Sequence, residues 1–486
     1  MLLLLSALAM AAPESELHIG NSYTFYNNLP EVREALHEAV LPDNALEVRL
    51  IARGGARLAN FAIEIEDDRG ELADLLRDGP GFDRVFLQEQ SQLPAFPQTQ
   101  PEWTNSKAAM ALLRNAVPES DVVVLATWGR RDGDRQNPSR FPDFETMNDL
   151  LFTGTLALAD GLDRTWIAPA GRAFAAVRAD VQAQGLDPDA EDSLFYRLYD
   201  IDGSHPAPLG TLLTACVEIG TVSGVPCDPA ASWPLPATDE EKRALTQAAA
   251  AVTLDVPFGD LSWPWAYEQS ALGDGPELVL GPFEHRPAVR ITSPLTADAL
   301  TVHGPLGGRI YIPENGALSI GSLQNSGPIE LYVTGGTFEA SGAVQVSPMV
   351  DAGTVQFSGT RPSLSGLTLG SGGTLALAPT GDPTAPDVGT ATLNGTLAIT
   401  VEASEDAIVL LTGTALTYGD TLQVTGVPEG WTLNQGPTAL SLAPATPEKR
   451  CATTPVQGGV PAMGLLLWAL VATRRRQNSN TGRRVR

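Results

Sequence analysis

The sequence predicts a three-layer α/β domain, a parallel sheet with helices on both faces, followed by an all-β region rich in Gly and Thr. Three observations carry this. Strand-like and helix-like runs alternate from residue 14 to about residue 270, the pattern of a parallel sheet with helical crossovers. From about residue 284 helical periodicity gives way to short alternating runs with Gly at their corners, which signals a solenoid or a sandwich. A chain of 486 residues also exceeds one typical core, so two or three domains are expected.

The first element is the leader "MLLLLSALAMAAPES", an apolar run with small residues at Ala7, Ala9 and Ala11. That spacing reads as a signal peptide over residues 1–12, with a buried first strand as the alternative. The α/β domain is assigned to residues 14–275. Its first strand stops on "IGNS", so that Ser22 closes the strand, and "LPEVREALHEAVL" continues as a helix. "ALEVRLIA", "DRVFLQE" and "SDVVVLATW" follow as strands, separated by the helical patterns "IEDDRGELADLLRDG" and "SKAAMALLRNAV". Chemistry in such a fold sits on loops at the carboxyl ends of the strands.

The β-rich domain is assigned to residues 284–445. Runs such as "GPIELYVTGGTFEASGAVQV" and "GTATLNGTLAITV" give a short strand every 8 to 12 residues. They have no constant period, and a solenoid-like stack is preferred to a sandwich. Nothing in this half gathers titratable groups, which suits a stalk or a binding module.

Residues 446–486 hold a linker, Cys451, the apolar segment Val460–Thr473 and an Arg-rich tail. The apolar segment is shorter than the about 20 residues of a full span, although the arginines behind it obey the positive-inside rule. Cysteine, apolar segment and arginines in this order resemble the tripartite sorting tails of myxobacterial surface proteins, which are cut near the cysteine. A plain C-terminal anchor is the alternative. Either reading makes the protein exported and associated with the cell surface or outer membrane, in contact with the membrane through this segment before processing. Release after processing is the other outcome. Cys216 and Cys227, the remaining two of three cysteines, are close enough in sequence to pair.

Composition narrows the partners. The formal charge of -26 argues against nucleic acid, whose phosphates need a basic face. The five histidines form no H-x-x-x-H pair and there is no C-x-x-C, so neither metal nor cofactor is expected.

One histidine has a distinctive setting. In "YDIDGSHPAPLG", Asp202 stands three residues before His205 on a loop. A carboxylate at that spacing can hold one imidazole nitrogen and leave the other free as a general base. Ser22, at the carboxyl end of a strand of the same sheet, is the nucleophile such a base would serve. No G-x-S-x-G is present, which excludes the nucleophile elbow of the α/β-hydrolases. Trp128 and Arg130 are candidate substrate contacts on the catalytic side, the indole for a sugar ring and the guanidinium, with Arg131, for an anionic group.

"IGNSYT" at one end and "DGSHPAPLG" at the other resemble the first and last blocks of the SGNH hydrolases, or GDSL-like esterases. The resemblance covers residues 16 to about 225 and implies a flavodoxin-like sheet and a Ser22–His205–Asp202 triad. It also implies an oxyanion hole from the Ser22 amide, a Gly of "IARGGARL" (Gly55, or else Gly54) and an amide side chain of the third block. That block departs from the common Gly-x-Asn-Asp and reads "VFLQEQS", so Gln88, or else Gln90, would stand in for the asparagine. The function implied is a secreted serine esterase acting on an acyl ester, acetyl first, on a polysaccharide or other small ester substrate. A non-catalytic adhesin or glycan-binding protein on the same scaffold and a lysophospholipase-type lipid esterase are the alternatives.

Overall fold

In a computed structural model the chain is described over residues 13–444, apart from 284, 343, 359–362, 365, 379–389, 400–407, 413–414, 421, 426 and 428–430. The expected signal peptide, Cys451, the apolar segment 460–473 and the Arg-rich tail lie outside the described residues. Among the described residues no helix is long and apolar enough to cross a membrane.

Strands β1 (Glu14–Gly20), β2 (Leu46–Ala52), β3 (Arg84–Leu87), β4 (Asp121–Leu125) and β5 (Thr165–Ala168) form a parallel sheet in the order β2-β1-β3-β4-β5. This is the flavodoxin-like order, whose direction reverses between β1 and β3. The helices between them are α1 (Ser22–Phe25), α2 (Leu29–Val40), α3 (Leu58–Glu66), α4 (Glu71–Asp78), α5 (Pro101–Ala116), α6 (Phe144–Ala159) and α7 (Ala170–Ala183), followed by α8 (Pro208–Ser223) and α9 (Asp239–Thr253). Strand alternation decides which layer each side chain joins. Leu17, Ile19, Val85, Leu87, Val122 and Val124 pack with α3 and α5. Phe86, Val123 and Leu125 point the other way, against α2, α7 and α8. The single helix expected from "IEDDRGELADLLRDG" is instead the end of α3 and all of α4. The chain breaks between them at Asp68 and Gly70, whose φ values are 47° and 121°.

The α2/α8 layer contains a buried ionic group. Glu16 of β1 lies 2.9 Å from Arg33 of α2 and 2.5 Å from Arg84, while Arg33 Nε is 3.9 Å from Glu218 of α8. Burial raises the Glu16 carboxyl, but Arg33, His18 and Arg84 outweigh it and hold it well below the usual range. Arg33 serves Glu218 poorly at the longer distance, so burial, with Glu16 beside it, pushes that carboxyl up to about 8. A carboxyl that keeps its proton longer in the folded chain than in the unfolded one makes stability fall as pH rises from about 4.5 to about 8. Glu218→Gln is expected to remove that fall, so the variant gains on wild type by up to about 1.4 kcal/mol per pH unit. Urea unfolding at pH 5 and pH 8 measures this, and parallel profiles for the two proteins would refute it.

The β-rich stack begins at Ala266–Glu268, which pairs in parallel with Ala288–Arg290. The boundary therefore falls after α9, and the end of the 14–275 assignment belongs to the stack. The stack is a solenoid: Val289, Ile310, Leu331 and Pro348 lie in register on successive parallel strands, as do Leu318, Phe338, Val355, Leu375 and Leu397. Each turn covers the apolar row of the one before, which gives one continuous core without a fixed repeat length. Its first coils dock on the carboxyl end of α8. Trp265 Nε1 donates to the Gly220 and Thr221 carbonyls at 3.1 Å, the Arg286 amide to Ser223 O at 2.9 Å, and the Arg309 guanidinium to Gly224 O.

Candidate active site

At the β1/β3 switch point the chain stops being a strand two residues earlier than expected. β1 ends at Gly20, Asn21 caps the short helix α1, and Ser22 is that helix's first residue. Glycine is needed at position 20 because a Cβ there would lie 2.4 Å from Thr24 Oγ1 and 2.7 Å from Gln88 Oε1. Asn21 fixes the turn from three sides. Its Oδ1 accepts from the Tyr23 amide at 3.2 Å, its Nδ2 donates to Ala56 O at 3.0 Å and Glu89 O at 3.5 Å, and its own amide donates to Gln88 Oε1 at 2.9 Å. The Tyr23, Thr24 and Phe25 amides all bond to Asn21, which leaves the Ser22 amide at the tip without a partner among the described residues.

The loop that follows residue 198 brings His205 to this turn. His205 Nε2 lies 2.9 Å from Ser22 Oγ, and Nδ1 lies 2.5 Å from Asp202 Oδ2. The Ser204 and His205 amides each donate to Asp202 Oδ1 at 2.9 Å, so the carboxylate is held on both oxygens. Burial works to raise the Asp202 carboxyl, but these hydrogen bonds prevail and keep it below the usual range. The Asp202 and His205 side chains are 45% and 24% exposed, which leaves the site open to solvent.

Residues that sequence reading passed over brace this loop. Tyr26 stacks on the His205 ring at 4.2 Å and 11°. Asn27 Nδ2 donates to Pro206 O at 2.9 Å and Thr211 Oγ1 at 3.0 Å, and the Tyr23 hydroxyl meets Ser204 Oγ at 2.7 Å. Their signal was the run "YNN" that follows Ser22-Tyr-Thr-Phe, since Asn is the residue that tolerates the left-handed φ of 53° and 55° found at Asn27 and Asn28.

The candidate oxyanion donors separate. Gly54 and Gly55 form an exposed turn beside the end of β1, where Gly55 has φ 68° and Ala56 N donates to Arg53 O at 3.0 Å. Gln88 does not offer its amide to the site. It is 2% exposed, with Oε1 taken by the Asn21 amide and by Thr24 Oγ1 at 3.0 Å, and with Nε2 turned to Glu89 O. Gln90 uses Oε1 to accept from the Gln92 and Leu93 amides at 2.9 and 3.1 Å, which leaves its Nε2 without a partner among the described residues. Glu89 Oε1 joins the two loops, accepting from the Leu58 amide at 3.1 Å and the Gln90 amide at 2.6 Å.

Two expected substrate contacts are corrected. Trp128 cannot stack on a sugar, because it is fully buried between Phe174 (4.4 Å, 4°) and Tyr23 (5.0 Å, 25°), with Nε1 donating to Ser204 O at 3.1 Å. It supports the histidine loop from beneath. Arg130 is bound to the buried Asp134 at 2.5 Å, and Asp134 also accepts from Gln92 Nε2 at 2.6 Å. Arg131 is paired with Asp132 at 3.0 Å and lies 3.8 Å over the Tyr196 ring. Both guanidiniums are thus committed within the protein. Cys216 and Cys227 form a disulfide with Cα atoms 5.5 Å apart. Among the described residues no group of three or more His, Cys, Asp or Glu side chains is arranged to hold a metal ion.

No family model and no curated protein matches the chain. Among solved structures it is similar to a protein from Slackia heliotrinireducens assigned as an SGNH hydrolase, at 25% identity over 43% of this chain and 97% of that one, with a TM-score of 0.32. It is also similar to a DUF4886 family protein from Bacteroides uniformis, at 17% identity over 50% of this chain and 95% of that one, TM-score 0.41. A third is an acetylxylan esterase from Geobacillus stearothermophilus, at 15% identity over 43% of this chain and 93% of that one, TM-score 0.31.

Proposed function

We propose that the protein is an exported serine esterase that hydrolyses a short acyl ester, acetyl first, carried on a polysaccharide. The observation that supports this most is the pair of contacts on opposite nitrogens of His205, to Ser22 Oγ at 2.9 Å and to Asp202 Oδ2 at 2.5 Å. In the reaction Ser22 Oγ attacks the ester carbonyl carbon while His205 Nε2 takes its proton. Asp202 keeps the Nδ1–H tautomer and stabilises the imidazolium that forms. The Ser22 amide, an amide of the Gly54–Gly55 turn and Gln90 Nε2 receive the oxyanion. Collapse expels the alcohol, which takes the proton back from His205. A water deprotonated by the same nitrogen then attacks the acyl-enzyme and releases the acid and Ser22.

A short acyl group suits the packing behind the triad, where Tyr23, Trp128 and Phe174 are almost wholly buried against one another. The open, polar surroundings suit a soluble or polymeric alcohol. Hydrolysis of p-nitrophenyl acetate, butyrate and octanoate by the whole chain tests the reading, with acetate expected to be fastest. Preference for octanoate would replace it with a lipid-directed esterase, and background rates on all three would refute general esterase activity.

The two glutamines have separable roles. Gln90→Glu, which keeps the oxygen that accepts from the Gln92 and Leu93 amides and removes only the donor, is expected to lower kcat at least about 100-fold with little change in Tm, as loss of one oxyanion donor does. Gln88→Ala is expected to lower Tm, because it strips the Asn21 amide and Thr24 of their buried partner. The reverse outcome would return the donor role to Gln88.

A further inference from the structure

At the amino ends of the strands, on the side of the sheet away from Ser22, a cleft of about 700 Å³ opens between the α/β domain and the first solenoid coils. Glu14, Arg84 and Asp121 stand in it at the starts of β1, β3 and β4, and Phe283 and His285 face them from the solenoid. We propose that this cleft is a second binding site, for an uncharged segment of polysaccharide.

The first argument is the aromatic wall. Tyr267 and His285 lie side by side, joined by a 2.8 Å hydrogen bond between the phenol and Nε2. Phe283 stacks on both, at 4.8 Å and 14° from Tyr267 and at 4.8 Å and 18° from His285. Three nearly parallel rings make a rigid apolar platform, and Phe283 is the ring of that stack, with His285, that borders the cleft. The C–H face of a pyranose is the flat, apolar surface that fits against such a platform. The cleft's volume lies in the range of small-ligand sites, and its aromatic wall stands against a polar floor.

The second argument is charge. Arg84 is paired with Glu14 at 3.2 Å and with Glu16, and Arg164 with Asp121 at 2.8 Å, so neither arginine waits for an anion. Asp83 accepts from the Ser15 amide and hydroxyl at 2.8 and 2.9 Å, and Glu119 stands exposed at the rim. Burial lowers His37 and His285 to about 4, so both are neutral at pH 7. Among the described residues the lining is therefore carboxylate-rich without a free cation, which repels phosphate and other anions. It offers carboxylate oxygens that accept hydroxyl protons, the one hydrogen bond every sugar can donate in quantity.

This inference is independent of the esterase reading, since the cleft and Ser22 lie at opposite ends of the strands. The test is calorimetric titration of the whole chain with unacylated cellohexaose, xylohexaose and mannohexaose. Gly81 lines the cleft with open space where its Cβ would be and a backbone that L residues adopt, so Gly81→Leu fills the cleft without disturbing the core. At least one hexamer is expected to bind, with Gly81→Leu and Phe283→Ala each weakening it at least tenfold. Hydrolysis of p-nitrophenyl acetate is expected to be unchanged in both variants, and hexamer binding unchanged in Ser22→Ala. Failure of all three hexamers to bind, or binding that Gly81→Leu leaves intact, would overturn the proposal whatever the esterase assay gives.

Discussion

Replacing Ser22 with Ala is expected to lower kcat on p-nitrophenyl acetate at least about 10⁴-fold, the loss found when the nucleophile of a Ser-His-Asp triad is removed. The change deletes the hydroxyl beside His205 Nε2 that forms the acyl-enzyme in the proposed reaction, while the oxyanion donors and the binding surface stay in place. Among the described residues Ser22 Oγ has His205 as its one partner, and the turn is held by Asn21 instead. The Tm of the variant is therefore expected to match wild type, which separates lost chemistry from lost fold. His205→Ala is expected to cost as much, and the double variant no more than either single one, because the two act as a unit. Additive losses would mean that Ser22 and His205 do not share one proton transfer.

Arg33→Met is expected to destabilise the fold by about 3–5 kcal/mol, the cost of leaving a buried charge without its partner. Arg33 and Glu16 are fully buried, with Glu218 close behind, between β1, α2 and α8. Methionine matches the length of the lost stem but leaves Glu16 with Arg84 and, at 3.7 Å, His18. Adding Glu16→Gln to Arg33→Met is expected to return part of the loss, since the carboxylate that suffered is then neutral. Urea unfolding at pH 7 of the single and double variants checks both statements. A single variant as stable as wild type would show that Arg84 and His18 suffice for Glu16.

Much of the site could be read from residue type and order. Gly20, Asn21 and Ser22 behind a strand, and Asp202 and His205 on a late loop, have to come to the same sheet edge in a parallel α/β fold. The structure does bring those side chains together. The third block was harder to read. In "VFLQEQS" both glutamines stand at the carboxyl end of β3, and on a continuing strand Gln88 and Gln90 would point the same way. The strand ends at Leu87, the chain turns, and the buried Asn21 amide takes Gln88, which frees Gln90. Trp128 escaped for a related reason, since its burial depends on Phe174 and Ser204, which are distant in sequence.

The sequence by itself determined the layers, because alternation along each strand assigns every apolar residue to one face. It also determined that helices link the first strands while Gly-cornered runs make up the rest. Only the tertiary structure decided which polar side chains stay free to act. That choice depends on which hydrogen-bond partners arrive from remote elements, and pairing across a sheet edge leaves no periodic mark on the chain.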